Sequence, residues 1–136
     1  MTSVLAVLVV LAAAWGLWRL LSGRRSVRQL ARVRRAILDG AVVVDVRTPA
    51  EFTDGHIPGA INIPQHQLTL AEKCLREKSA PVVVYCNRGI RSVAAVRMLE
   101  RLGFERVYDL GCASNVERLQ LPFTGRRAPR CTISPR

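Results

Sequence analysis

The chain has 136 residues, is 49% hydrophobic and carries a formal net charge of +11. That length holds one domain of about a hundred residues beside an anchor or linker. The charge excess sits in two acid-free flanks: arginines 19, 24, 25, 28, 32, 34 and 35, and arginines 126, 127, 130 and 136. The region between is neutral and aromatics are only 5%, which argues against nucleic acid as a partner. A groove binder needs a basic stripe on its folded face, and aromatics for stacking.

From Val4 to Trp18 nothing is charged or strongly polar, and Leu20-Leu21 continue the run after Arg19. A helix of roughly 18 residues rises ~27 Å, close to a bilayer core of ~30 Å. Residues 1–22 are therefore expected to form a transmembrane anchor, with Trp15 and Trp18 near the interface. A cleaved signal peptide would open on a positive segment, whereas only Met1-Thr2-Ser3 precede this run. The arginines follow the span, so the positive-inside rule predicts a single-pass protein of an inner or plasma membrane. Its N-terminus lies outside and its domain in the cytoplasm.

Ser22-Gly23 is expected to break the pattern, and Ser26 to cap a basic juxtamembrane helix within residues 23–38. Its apolar stripe is Val27, Leu30, Val33 and Ile37. Its arginine face either lies on anionic headgroups, at ~1 kcal/mol per charge, or stays solvated. Asp39-Gly40 ends it. Residues 39–123 read as the folded domain, and 124–136 as a basic disordered tail.

Within the domain, strand signals at 41–46, 60–63, 82–85 and 106–108 alternate with helical patterns at 49–54, 67–77, 92–102 and 114–119. Alternation of buried strands with helices predicts an α/β fold, a mostly parallel sheet with helices on both faces. Sites in such sheets lie beyond the carboxyl ends of strands, where Asp45, Cys86 and Gly111-Cys112 fall.

The stretch Tyr85-Cys86-Asn87-Arg88-Gly89-Ile90-Arg91-Ser92 carries the chemistry. It joins a buried strand to a helix, so Cys86 faces the unpaired N–H groups of a helix N-terminus. Such a cradle, with Arg88 and Arg91 beside it, suits a thiolate or an anionic substrate. A nucleophilic cysteine is one reading, and a small buried residue at a strand end is the other.

Two motifs then carry a resemblance. Asp45-Val46-Arg47, Glu51-Phe52 and Gly55-His56-Ile57-Pro58-Gly59-Ala60-Ile61-Asn62-Ile63-Pro64 resemble the first signature of the rhodanese family. Tyr85 to Ser92, followed by a helix and Gly103-Phe104, resembles its active-site signature. The resemblance spans about residues 27–123. It implies a three-layer rhodanese-like fold and a sulfurtransferase. Cys86 would take sulfane sulfur from thiosulfate or another persulfide donor and pass it to cyanide or a thiol. A protein-to-protein sulfur relay is the alternative. Phosphatases of similar fold have a loop one residue longer than the four residues between Cys86 and Arg91.

The resemblance makes Asn87, Arg88, Gly89, Ile90 and Arg91 the substrate-binding loop, with Asp45, Arg47 and Ser92 in support. Arg88, at the loop's tip, is the candidate donor-binding residue. Arg91 either binds donor or pairs with a carboxylate or loop carbonyls. His56 reads as a hydrogen-bonded turn residue, since a preformed thiolate needs no general base. Cys74 lies on an apolar helix stripe, and Cys131 in the tail has no assigned role. Metal-ligand spacing is absent, and the reading calls for no cofactor. The pattern departs at Gly111-Cys112, where the family commonly has a Gly-Gly pair, and at Val116, near a common tryptophan position. Cys112 is thereby a candidate resolving thiol, or a small residue in place of glycine.

Overall fold

The computed structural model describes residues 2–75 and 77–122, without the side chains of 2–5, 17–26 and 117. The expected tail, 124–136, lies outside the described residues. The elements run α1 (Thr2–Leu38), β1 (Val42–Asp45), α2 (Pro49–Asp54), β2 (Ile61–Asn62), a 3-10 turn (Gln65–Leu70) and α3 (Ala71–Cys74). They continue with β3 (Val82–Cys86), α4 (Ile90–Arg101), β4 (Val107–Cys112) and α5 (Asn115–Arg118).

Helix α1 is continuous through Ser22-Gly23, where a break was expected. A glycine costs a helix interior only ~1 kcal/mol relative to alanine, so strong formers on both sides carry the helix through. No helix among the described residues is long and apolar enough to cross a membrane, so the expected span over 1–22 is not supported. The described side chains at the start of α1 form one segment, residues 6–16. Within it, Val7 to Leu11 and Trp15 are all exposed.

The other end of α1 packs on the sheet. Leu30, Val33 and Ala36 are buried and Ile37 half-buried, while Val27, expected on this stripe, is exposed. Gln29 Nε2 donates to the Asp109 carbonyl at 2.9 Å, tying α1 to β4. The helix stops at Gly40, whose φ of 90° lets Ala41 N–H reach the Ala36 carbonyl at 2.9 Å. That six-to-one closure satisfies an otherwise orphaned carbonyl.

The sheet is parallel throughout, in the order β2-β1-β3-β4. Both faces are covered, as the continuous valine runs predict. Val43, Val83, Tyr85 and Leu110 meet α1, Phe52 and Val116 on one side. Val44, Val82, Val84 and Cys86 meet Leu68, Ala95, Leu99 and Phe104 on the other. Strand β4 runs to Cys112, four residues past its expected end. The ladder with β3 shifts between Val84 and Tyr85 and then resumes, pairing Tyr85 with Gly111 and Cys86 with Cys112. A bulge of this kind absorbs the extra residue Leu110 without ending the strand. The pattern at 67–77 resolves into the 3-10 turn and α3, which still bring Leu68, Ala71 and Leu75 to the core.

Candidate active site

Cys86 ends β3 and is 1% exposed. Gly89 caps α4 in the left-handed region, at φ 83°. That turn aims the Gly89 N–H at Cys86 Sγ, 3.1 Å away. The conformation, rather than lack of space, calls for glycine, since a Cβ there would meet its nearest neighbour at 3.7 Å. Helix α4 begins at Ile90, two residues earlier than expected, so Ile90 and Arg91 form its first turn. First-turn N–H groups have no partner within the helix and carry partial positive charge. Ser92 Oγ donates to the Gly89 carbonyl at 2.9 Å and holds the turn closed.

An open pocket of about 380 Å³ lies over the sulfur, lined by Glu51, Cys86, Asn87, Arg88, Ile90 and Arg91. Of the expected loop, Asn87, Arg88, Ile90 and Arg91 line the pocket and Gly89 does not, while Glu51 joins them. Arg91 donates to both Glu51 oxygens at 2.8 Å, a bidentate pair. Asn87 Nδ2 donates to the same carboxylate at 2.6 Å. Arg91 thus makes the carboxylate pairing that was one of its two readings. The Arg91 hydrogen bonds and the Thr48 backbone N–H hold the Glu51 carboxyl down to about 2. Those bonds in turn raise Arg91 above the usual guanidinium range, with a smaller contribution from Cys86.

Behind the loop, Asp45 and Arg47 form a buried pair. Arg47 Nη2 lies 2.6 Å from Asp45 Oδ2, and Nε lies 3.0 Å from each carboxylate oxygen. The same guanidinium donates to the Gly55 carbonyl at 2.6 Å and to Asn87 Oδ1 at 3.2 Å. Burial opposes the Arg47 charge, but Asp45 outweighs it and raises the guanidinium above its ordinary value. Tyr85 lies under Arg47, 5.5 Å from ring centre to guanidinium carbon. Its hydroxyl accepts the Ile57 N–H at 3.2 Å, and burial pushes the phenol up. A chain of contacts therefore runs Asp45–Arg47–Asn87–Glu51–Arg91 around the loop. His56 stays outside it, buried, with Nδ1 2.8 Å from the Phe52 carbonyl and its ring stacked on Phe52.

Charge bookkeeping then leaves one cation at the mouth. Arg47 and Arg91 are neutralised by Asp45 and Glu51. Arg88 is exposed, lines the pocket and makes no salt bridge among the described residues. Glu51 was missed as a site residue. Its spacing to Thr48 signals a capping box, which the structure contains. Nothing in that local signal points to its second partner, 40 positions on in the chain. Among the described residues no cluster could hold a metal ion.

A buried sulfur facing a helix N-terminus, under a pocket with one unpaired arginine, is a site for a nucleophile and an anion. The rhodanese-like domain model matches residues 29–113, and the chain belongs to that family. A sulfurtransferase of Allochromatium vinosum is 38% identical over 77 residues, covering 57% of this chain and 71% of the relative. Thiosulfate sulfurtransferase GlpE of Ectopseudomonas mendocina is 36% identical over 88 residues, covering 62% and 76%. Among solved structures, a rhodanese with anions from E. coli has a TM-score of 0.59 and 28% identity, covering 64% of this chain and all of that one. A rhodanese-related protein of Thermoplasma volcanium has a TM-score of 0.56 and 35% identity, covering 65% and 88%.

Proposed function

We propose that the chain is a sulfurtransferase that works through a persulfide on Cys86. The observation that carries this is the Gly89 N–H aimed at Cys86 Sγ, at the floor of a pocket whose unpaired cation is Arg88. The thiolate attacks the sulfane sulfur of thiosulfate or a related donor. A sulfur–sulfur bond forms to Cys86, and sulfite leaves with the electron pair of the broken bond. A cyanide or thiol acceptor then attacks the terminal sulfur and restores the thiolate. The loop N–H groups hold the sulfur's negative charge in both states without reorganising, as a preorganised site should. Arg88 draws the anionic donor in. Arg91, engaged by Glu51, sets the loop's shape. Thiosulfate:cyanide turnover by the chain, absent in Cys86→Ser, is the expected result. Normal turnover by that variant would reject the assignment.

Relay to a protein acceptor is the second reading. The observation favouring it is Ile90, 76% exposed at the rim of the pocket, with Val93 exposed one turn further along α4. Weak turnover with free thiosulfate, together with full loading of Cys86 by a protein persulfide, would select it.

The reading also includes an anchor over residues 1–22, a basic flank over 23–38, the domain over 39–123 and a basic tail over 124–136. The exposed apolar side chains Val7 to Leu11 support membrane association, since a helix apolar on all sides needs an apolar environment. The acid-free arginine flank supports an N-terminus outside and a cytoplasmic domain. Digestion of the domain by a protease added outside intact cells would reverse that orientation.

A further inference from the structure

Cys112 is the other free thiol among the described residues, and the cycle above makes no use of it. Strand β4 brings it beside the nucleophile: beyond the bulge, Cys112 is the register partner of Cys86. Neighbouring strands lie ~4.8 Å apart, and register partners project from the same face of the sheet. That spacing falls inside the ~4.4–6.8 Å between Cα atoms that disulfides span. The end of β4 also rests on the loop, since a Cβ on Gly89 would lie 3.8 Å from the Cys112 backbone nitrogen. Cys112 Sγ lies 2.9 Å from Ser114 Oγ, a hydroxyl able to donate to the sulfur once it is ionised. Cys112 is half-buried, more open to solvent than Cys86.

We infer that Cys112 is a resolving thiol that discharges the Cys86 persulfide as sulfide. The inference rests on the sulfurtransferase reading. Cys112 attacks Cys86 Sγ as a thiolate, and the proton it gives up passes to the terminal sulfur of the persulfide. A Cys86–Cys112 disulfide forms, the bond from Sγ to the terminal sulfur breaks, and hydrosulfide leaves with its electron pair. The sulfane sulfur is reduced to sulfide, and the two cysteines are oxidised to the disulfide. An external thiol then reduces that disulfide and returns both cysteines. Geometry selects the inner sulfur, which belongs to the residue directly across the ladder, whereas the terminal sulfur projects into the pocket. The chain would thus convert a sulfane donor to sulfide without cyanide.

The test uses the full-length chain in mild detergent, reduced, freed of reductant and given a slight excess of thiosulfate. Sulfide release is followed, and cysteine peptides are mapped by mass spectrometry. Wild type should release about one sulfide per chain and yield a Cys86–Cys112 cross-linked peptide. Cys112→Ser and Cys112→Ala should retain sulfur on Cys86 and release sulfide roughly tenfold more slowly or worse. Circular dichroism checks that both variants are folded. Wild type that keeps its persulfide as long as the variants, with no cross-linked peptide, overturns the inference and leaves the sulfurtransferase reading standing. Failure of all three proteins to take up sulfur overturns both.

Discussion

Glu51→Gln keeps the shape of a side chain that ties three elements together and removes its charge. The carboxylate accepts from Arg91 twice at 2.8 Å, from Asn87 at 2.6 Å, from the Thr48 N–H at 2.8 Å and from the Thr48 hydroxyl at 3.0 Å. An amide offers one acceptor oxygen, so donors on its other side face an NH₂ group. The Arg91 and Glu51 side chains are 32% and 29% exposed, so water screens the pair and its worth falls below what the lowered carboxyl alone implies. A loss of about 2 kcal/mol at pH 7 follows, or a Tm lower by about 10 °C for a domain of this size. The pH dependence has a definite sign. Glu51 is held down to about 2 from an ordinary 4.5, so its stabilisation is complete above 4.5 and is lost as pH falls toward 2. Urea unfolding of wild type and variant at pH 7 and pH 3 should show the gap narrowing in acid. In a cycle with Arg91→Met, the pair should couple by about 1 kcal/mol or more. A gap below about 0.5 kcal/mol at pH 7, or one unchanged at pH 3, would refute the role given to the pair.

Asp45→Asn should cost about 3–5 kcal/mol, because it leaves the buried Arg47 guanidinium without its counter-charge; denaturant midpoints measure this. Gly89→Ala has room for the methyl but not the backbone angle. It should cost about 1–2 kcal/mol and slow persulfide formation, which a stopped-flow sulfite assay reads. Arg88→Met should raise KM for thiosulfate about tenfold with kcat largely retained, since it removes the cation that recruits the donor rather than a group at the reacting sulfur. An unchanged KM would move donor binding onto the loop N–H groups alone.

How much of this was legible depended on whether a feature is written locally. The valine runs announce buried parallel strands, and Gly40 and Gly103 announce helix ends, because each signal lies within a few residues of its effect. The Cys86 loop was legible for the same reason, down to its glycine. The partner of Arg91 was not. Glu51 reads as a capping residue, and only the packing of α2 against the loop turns its carboxylate toward α4. The extent of β4 was hidden too. Gly111 looks like a strand end, but pairing with β3 resumes beyond the bulge and sets Cys112 beside Cys86. At the N-terminus the apolar run was plain, yet its continuation as one helix into the domain core depends on Leu30, Val33 and Ala36 meeting the sheet.

The central claim is a covalent sulfur on Cys86, and intact mass followed by peptide mapping tests it most directly. After incubation of Cys112→Ser with thiosulfate, the account predicts a gain of one sulfur atom, located on the peptide that contains Cys86 and removed by cyanide. An unmodified Cys86 after incubation with thiosulfate and with a low-molecular-weight persulfide would contradict it.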